Sequence, residues 1–204
     1  MILTLGCSFT AGEELTDRAR QAWPYILGQL LDQPVQNLGE SGSCNASMVR
    51  KLLATTSEYN YDLVVVAWTD PNRFEAWHEP LQRPVTVMID SQAGLSWTDD
   101  YYRQSYDPQW AWERWIDQVI LAQEYLTQRR QPYLFIRVAG QLDYDVRCQN
   151  IKHLCELVRA DRFVGWPSQG MIEIAAEAER GPGGHPLEQG HERIANEIAK
   201  YIRN

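Results

Sequence analysis

Cysteine is scarce in this chain: four residues in 204, at positions 7, 44, 148 and 155. So few and so scattered, they exclude a disulfide framework and point to synthesis in a reducing compartment. Positive charge is also short. Nineteen Lys and Arg face 27 Asp and Glu, a formal net charge of −8. A general nucleic-acid binder normally shows a basic face, so nucleic acid is not expected as a partner. No apolar run is long enough to span a membrane. No charged and apolar leader precedes Ile2, where the first strand begins, so no signal peptide is expected. Repeats, low-complexity tracts and dividing linkers are missing too, and residues 1–204 read as one domain.

What is present is an ordinary globular balance, 44% hydrophobic and 23% charged. Ile2 to Leu5 reads as a first strand, and Gln21 to Leu31 as a helix with Trp23, Leu27 and Leu30 on one stripe. Pro34 to Leu38 is a short second strand, followed by a helix over 45–57. Asp62 to Ala67 is an unbroken apolar strand suited to cover on both faces. Asp107-Pro108 opens a long helix to Gln128, Tyr133 to Val138 is a fourth parallel strand, and Phe163-Val164 a short fifth. Asp145 to Val158, with Cys148 and Cys155 on one face, Met171 to Ala178 and Leu187 to Ile202 are the closing helices. The alternation predicts a three-layer α/β/α sandwich with a mostly parallel, flavodoxin-like sheet of about five strands. Residues 71–107 break the pattern and read as an insertion. Within it, Val85 to Ile89 and Leu95 to Thr98 are the expected hairpin, joined by 90–94.

The chemistry concentrates at the two ends. The first strand runs into Gly6-Cys7-Ser8-Phe9-Thr10, placing a serine at the C-terminal edge of the sheet, where open α/β sheets hold their ligands. Near the other end, Gly184-His185-Pro186 offers a base. A serine hydroxyl is a poor nucleophile at neutral pH and needs such a base within hydrogen-bond reach. Each residue also has a plainer use: Ser8 as a helix cap, His185 as a loop histidine bonded to backbone, Cys7 and His191 as packed side chains. A metal site from Cys7, Cys44, His185 and His191 is disfavoured, since no pair has zinc-type spacing; no cofactor is expected.

These blocks resemble the SGNH (GDSL-type) hydrolase superfamily. Gly6-Cys7-Ser8 is similar to its Gly-Asp-Ser block, with cysteine in place of the aspartate. Asn37-x-Gly39-x-x-Gly42 is similar to the second block, whose glycine lends an oxyanion-hole N–H. Val64 to Asp70 is similar to the third, with Thr69 where the oxyanion asparagine stands. His185-Pro186 is similar to the last, Asp-x-x-His-Pro, but the acid's position is Pro182. The set, with Trp68-Thr69-x-x-x-Arg73-Phe74-Glu75, also resembles a divergent branch often encoded by bacteriophages.

The resemblance implies a serine esterase or acyl hydrolase with Ser8 as nucleophile and His185 as base. The oxyanion hole would take the Ser8 and Gly42 backbone N–H groups and Thr69, or Asn45 or Asn72 in its stead. A backbone carbonyl, Glu188 or Asp70 would replace the missing acid. The substrate class is a small ester or an acylated carbohydrate, such as an O-acetylated sugar, the sugar resting on the aromatic residues Trp68, Trp77, Trp97, Tyr101 and Tyr102. The alternative is a catalytically decayed protein of the same fold, serving as a binding or virion-structural module; an enzyme using Cys7 is a third reading. The expected location is cytoplasmic, or a virion if phage-encoded, with virion or homo-oligomer assembly as the possible association.

Overall fold

The computed structural model describes residues 1–88, 95–139 and 149–203. Its centre is a parallel sheet of four strands: β1 (Ile2–Leu5), β2 (Val35–Asn37), β3 (Leu63–Trp68) and β6 (Tyr133–Arg137), in the order β2-β1-β3-β6. Two further strands, β4 (Phe74–His78) and β5 (Arg83–Val87), form a separate antiparallel hairpin.

Successive strand residues point to opposite faces, and each face has its own core. Ile2, Val65, Ala67, Leu134 and Ile136 pack with Trp23 and Leu27 of helix α3 (Trp23–Leu31) and with Ile194 and Ile198 of helix α9 (Glu188–Arg203). Leu3, Leu5, Val64, Val66, Trp68 and Phe135 face the other way. They meet Val49 and Leu52 of helix α4 (Asn45–Glu58) and Trp115, Ile116 and Val119 of helix α6 (Pro108–Gln128). Three layers result, as the alternation of elements requires. Helix α6 begins where the sequence places it, because the Asp107 carboxylate accepts the Trp110 N–H at 2.8 Å and Pro108 opens the first turn. The remaining helices are α1 (Ser8–Ala11), α2 (Arg18–Gln21), α5 (Thr98–Gln104), α7 (Gln149–Glu156) and α8 (Met171–Ile174). No described helix is long and apolar enough to cross a membrane.

The expected fifth strand is reduced to a single parallel bridge, Phe163 beside Phe135, with the Val164 N–H donating to the Phe135 carbonyl at 2.8 Å. A 3-10 turn over Ala160–Arg162 precedes it, and Gly165, at φ +73°, turns the chain away directly after it. The hairpin exists but pairs Arg83–Val87 with Phe74–His78, not with residues 95–98. Thr98 instead opens α5, whose first turn carries Asp99 and Asp100, and carboxylates there favour a helix. The hairpin's expected connection, 90–94, and Cys148 lie outside the described residues.

Candidate active site

Every candidate group sits at the C-terminal edge of the sheet or on the loops above it. Gly6 makes the first turn possible: a Cβ there would lie 2.0 Å from Thr10 Oγ1. Helix α1 therefore starts immediately after β1, with Cys7 as its N-cap and Ser8 in its first turn. First-turn N–H groups have no partner within the helix, so the Ser8 N–H is left for an acceptor outside it. Ser8 is 8% exposed, and its hydroxyl lies 4.0 Å from the Cys7 sulfur.

The second loop is tied to the first. Asn37, at the end of β2, donates from Nδ2 to the Thr10 carbonyl at 2.8 Å and accepts the Gly39 N–H at 2.9 Å. Gly39 lies flat on α1, where a Cβ would come 2.7 Å from the Ala11 nitrogen. The Glu40 N–H donates to the Gly6 carbonyl at 3.0 Å, and Ser41 Oγ donates to the Glu13 carboxylate. Gly42 follows at φ +78°, a backbone conformation that favours glycine.

Asn45 and Thr69 meet, but in different roles. Asn45 Oδ1 accepts the Thr69 N–H at 2.9 Å, and its Nδ2 donates to the Thr69 carbonyl at 3.1 Å. Both ends of the amide are thus committed to backbone, and Asn45 fastens the start of α4 to the exit of β3. Asn72 lies one turn further on, its N–H bonded to Asp70 Oδ1 at 2.9 Å.

The acid beside the histidine is neither Glu188 nor Asp70. It is Glu14, whose Oε2 lies 2.8 Å from His185 Nδ1. Glu14 also accepts the Gly183 N–H at 2.7 Å on Oε1 and the His185 N–H at 3.1 Å on Oε2. These bonds, the Gly183 N–H foremost, hold its carboxyl below the usual range despite desolvation. Such a carboxylate can accept a hydrogen bond from a proton-bearing Nδ1 of the imidazole and so turn Nε2 away from the acid. No hydrogen bond joins Ser8 to His185; the Phe9 ring lies between 5 and 6 Å from the imidazole, centroids 5.5 Å apart.

Local sequence explains how Glu14 reaches this position. Helix α1 ends at Gly12, φ +76°, and Glu14 itself sits at φ +67°. A non-glycine residue held there costs about 1–3 kcal/mol and persists only where surrounding contacts over-determine it. Opposite, the Gly181-Pro182-Gly183-Gly184 turn leaves room for the carboxylate: a Cβ on Gly181 would come 2.6 Å from Glu14 Cδ. Two signals could have been read from sequence: paired acids directly after Gly12, and three glycines in four residues before His185.

His191 is wholly buried and accepts the Trp23 N–H on Nδ1 at 3.1 Å, capping α3 from another helix. Burial pushes its pKa down to about 4, so it is neutral near pH 7. Of the aromatic residues expected to hold a sugar, Trp68 is fully buried, packed from β3 against α6, which corrects its place in that set. Trp77 and Trp97 are 56% and 40% exposed, and Trp97, Tyr101 and Tyr102 cluster around Phe74.

Neither a family model nor a curated protein matches the sequence. Solved structures do match over its whole length. The structure of TesA is 16% identical, with TM-score 0.63, covering 99% of this chain and 97% of that one. A member of the lipolytic G-D-S-L family from Veillonella parvula is 14% identical, with TM-score 0.55, covering 100% and 98%. A two-domain esterase active on acetylated mannans is 15% identical, with TM-score 0.57, covering 99% of this chain and 48% of that one. With its parallel sheet, its serine after the first strand and its histidine before the last helix, this chain has the fold of the SGNH, or G-D-S-L, hydrolases.

Proposed function

We propose that the protein is a serine ester hydrolase in which Ser8, His185 and Glu14 form the reacting triad. The observation that carries this reading is the 2.8 Å contact between Glu14 Oε2 and His185 Nδ1, which orients the imidazole. In the reaction, Ser8 Oγ attacks the ester carbonyl carbon while His185 Nε2 takes the hydroxyl proton. The tetrahedral oxyanion is met by the Ser8 and Gly42 N–H groups and the Thr69 hydroxyl. Collapse breaks the bond to the alcohol oxygen, which receives the proton from His185. Water, activated by the same nitrogen, then releases the carboxylic acid from the acyl-serine.

The substrate we favour is a small ester or an acylated carbohydrate. The support is indirect: a similar structure is an esterase active on acetylated mannans, and Trp77 and Trp97 are exposed aromatic rings of the kind that stack on sugars. A decayed binding module would have no need to hold a carboxylate against His185 Nδ1. The test is cleavage of 4-nitrophenyl acetate by purified protein, with Ser8→Ala reducing it to background and an alkyl phosphonate labelling Ser8. Unlabelled Ser8 and no turnover would leave the binding-module reading in place.

A further inference from the structure

The glycine assigned the second oxyanion N–H sits at the tip of a turn. The Ser43 N–H donates to the Glu40 carbonyl at 3.0 Å and closes residues 40–43, with Gly42 in the third position at φ +78°. That is the type II pattern. In a type I turn the same residue takes a φ of about −90°, and the two types differ by roughly a half-turn of the central peptide, here Ser41–Gly42. The orientation of that peptide decides which way the Gly42 N–H faces. Among the described residues this N–H has no acceptor. Glycine adopts both conformations readily, so Gly42 does not by itself lock the peptide.

The flanks of the turn are anchored, and its tip is tethered. Before it, the Glu40 N–H donates to the Gly6 carbonyl at 3.0 Å, and the Glu40 carboxylate pairs with Lys51 of α4. After it, Ser43 is buried, and its carbonyl accepts from Arg73 Nη1 at 3.4 Å. At the tip, Ser41 Oγ donates to Glu13 Oε2. The other carboxylate oxygen, Oε1, accepts from Arg18 Nη2 at 2.9 Å. The bond from Ser41 is the foremost reason that the Glu13 carboxyl lies below its usual range. The Glu13 N–H donates in turn to the Ser8 carbonyl at 3.0 Å. One residue thus touches both the backbone of the candidate nucleophile and the side chain that leads into Gly42.

We propose that Glu13 is a positioning residue for the oxyanion hole: by gripping Ser41 it keeps the Ser41–Gly42 peptide turned so that the Gly42 N–H serves the carbonyl attacked by Ser8. The two acids after Gly12 divide the work, Glu14 on the base and Glu13 on the oxyanion glycine. The proposal rests on the esterase reading, in which the Gly42 N–H is a donor.

Loss of one oxyanion donor costs about 10²–10³-fold in kcat, and a peptide correctly turned for part of the time loses part of that. Ser41→Ala and Glu13→Ala are each expected to lower kcat for 4-nitrophenyl acetate by about tenfold, with KM changed by less than about twofold, since the lost interaction belongs to the transition state. The double variant should lose no more than either single one. Ser41→Thr keeps the hydroxyl and should restore most of the kcat that Ser41→Ala loses. Unchanged kcat in either alanine variant, additive losses, or a rise in KM in place of the fall in kcat overturns the proposal, while labelling of Ser8 still upholds the esterase. If the wild type cleaves no ester, the esterase reading fails on its own, and amide hydrogen exchange decides the tether. The Ser43 N–H that closes the turn should then exchange about tenfold faster in both alanine variants and at the wild-type rate in Ser41→Thr. Equal exchange in all four proteins overturns it.

Discussion

Glu14 and His185 are 171 positions apart in the chain, yet a carboxylate oxygen of one lies 2.8 Å from a ring nitrogen of the other. In the family this sequence resembles, the acid precedes the histidine by three residues; here Pro182 holds that position and the carboxylate comes from the loop after α1. Glu14→Gln keeps the size and removes the charge. Loss of the equivalent role in a protease triad costs on the order of 10⁴-fold in turnover. A fall of about 10³–10⁴-fold in kcat is expected, with circular dichroism unchanged. A fall below tenfold would show that His185 works without Glu14.

The glycines opposite Glu14 should behave as part of the same device. Gly181→Ala places a methyl 2.6 Å from Glu14 Cδ and must push the carboxylate off the imidazole. Turnover should drop by about the same factor as in Glu14→Gln. In the double variant the two losses should not add, since both remove one interaction. Additive losses, read from kcat in the four-member cycle, would mean that the turn serves something else.

Ser8 and Cys7 adjoin, and both can attack carbonyl carbon, so substitution must separate them. Cys7 is buried as the N-cap of α1, with its sulfur packed in the core. Cys7→Ala should keep most activity and cost about 1 kcal/mol of stability by denaturant titration. Ser8→Ala should abolish turnover with little change in stability. The reverse pattern would assign the nucleophile to Cys7.

His191 makes stability pH-dependent in a defined window. Its pKa in the folded protein is about 4, against an ordinary value of 6.5, because burial disfavours the charged form. Below pH 6.5 the unfolded chain binds a proton that the native protein refuses, so stability is complete above that pH and falls as pH drops toward about 4. The gap corresponds to about 3 kcal/mol. Glu13 and Glu14, whose pKa values are lowered from 4.5, lose their contribution only below that value, so the windows differ. Urea unfolding between pH 7 and 4.5 should show the loss in wild type and a flatter curve in His191→Gln.

Asn45 offers a test of the oxyanion corner. Asn45→Ala leaves the buried Thr69 N–H and carbonyl without the partners they have now, at 2.9 and 3.1 Å. Orphaning such groups costs about 1–3 kcal/mol. The melting temperature should fall, and kcat should fall further than stability explains, because Thr69 is released. Unchanged kcat would remove Thr69 from the reacting site.

Much of this architecture is legible in sequence because burial leaves a periodic mark. Six apolar residues from Leu63 to Trp68 can only be a strand covered on both sides, and Gly6 and Ser8 after β1 mark a strand edge. The misplaced hairpin shows the limit: Phe74–His78 mixes aromatic, acidic and small residues with little alternation, and its partner strand runs from exposed at Arg83 to buried at Val87. Trp68 follows the same logic, since a bulky residue at a strand end reads alike whether it faces solvent or a helix. Glu14 was overlooked for a different reason. A glutamate in a polar loop after a glycine resembles any surface acid, and only the folded backbone brings it against a turn from the other end of the chain.

That meeting of distant segments gives the site a timing. The helix of the candidate nucleophile, with Glu14 behind it, lies within the first fifteen residues, whereas the candidate base is held by the glycine turn over the carboxylate and by α9 packed on α3. His191 seals the same junction through the Trp23 N–H. If Ser8, Glu14 and His185 act together as proposed, competence is an assembly step: refolding followed by turnover should lag behind refolding followed by sheet formation, and a protease cut that frees α9 should silence turnover while the sheet remains.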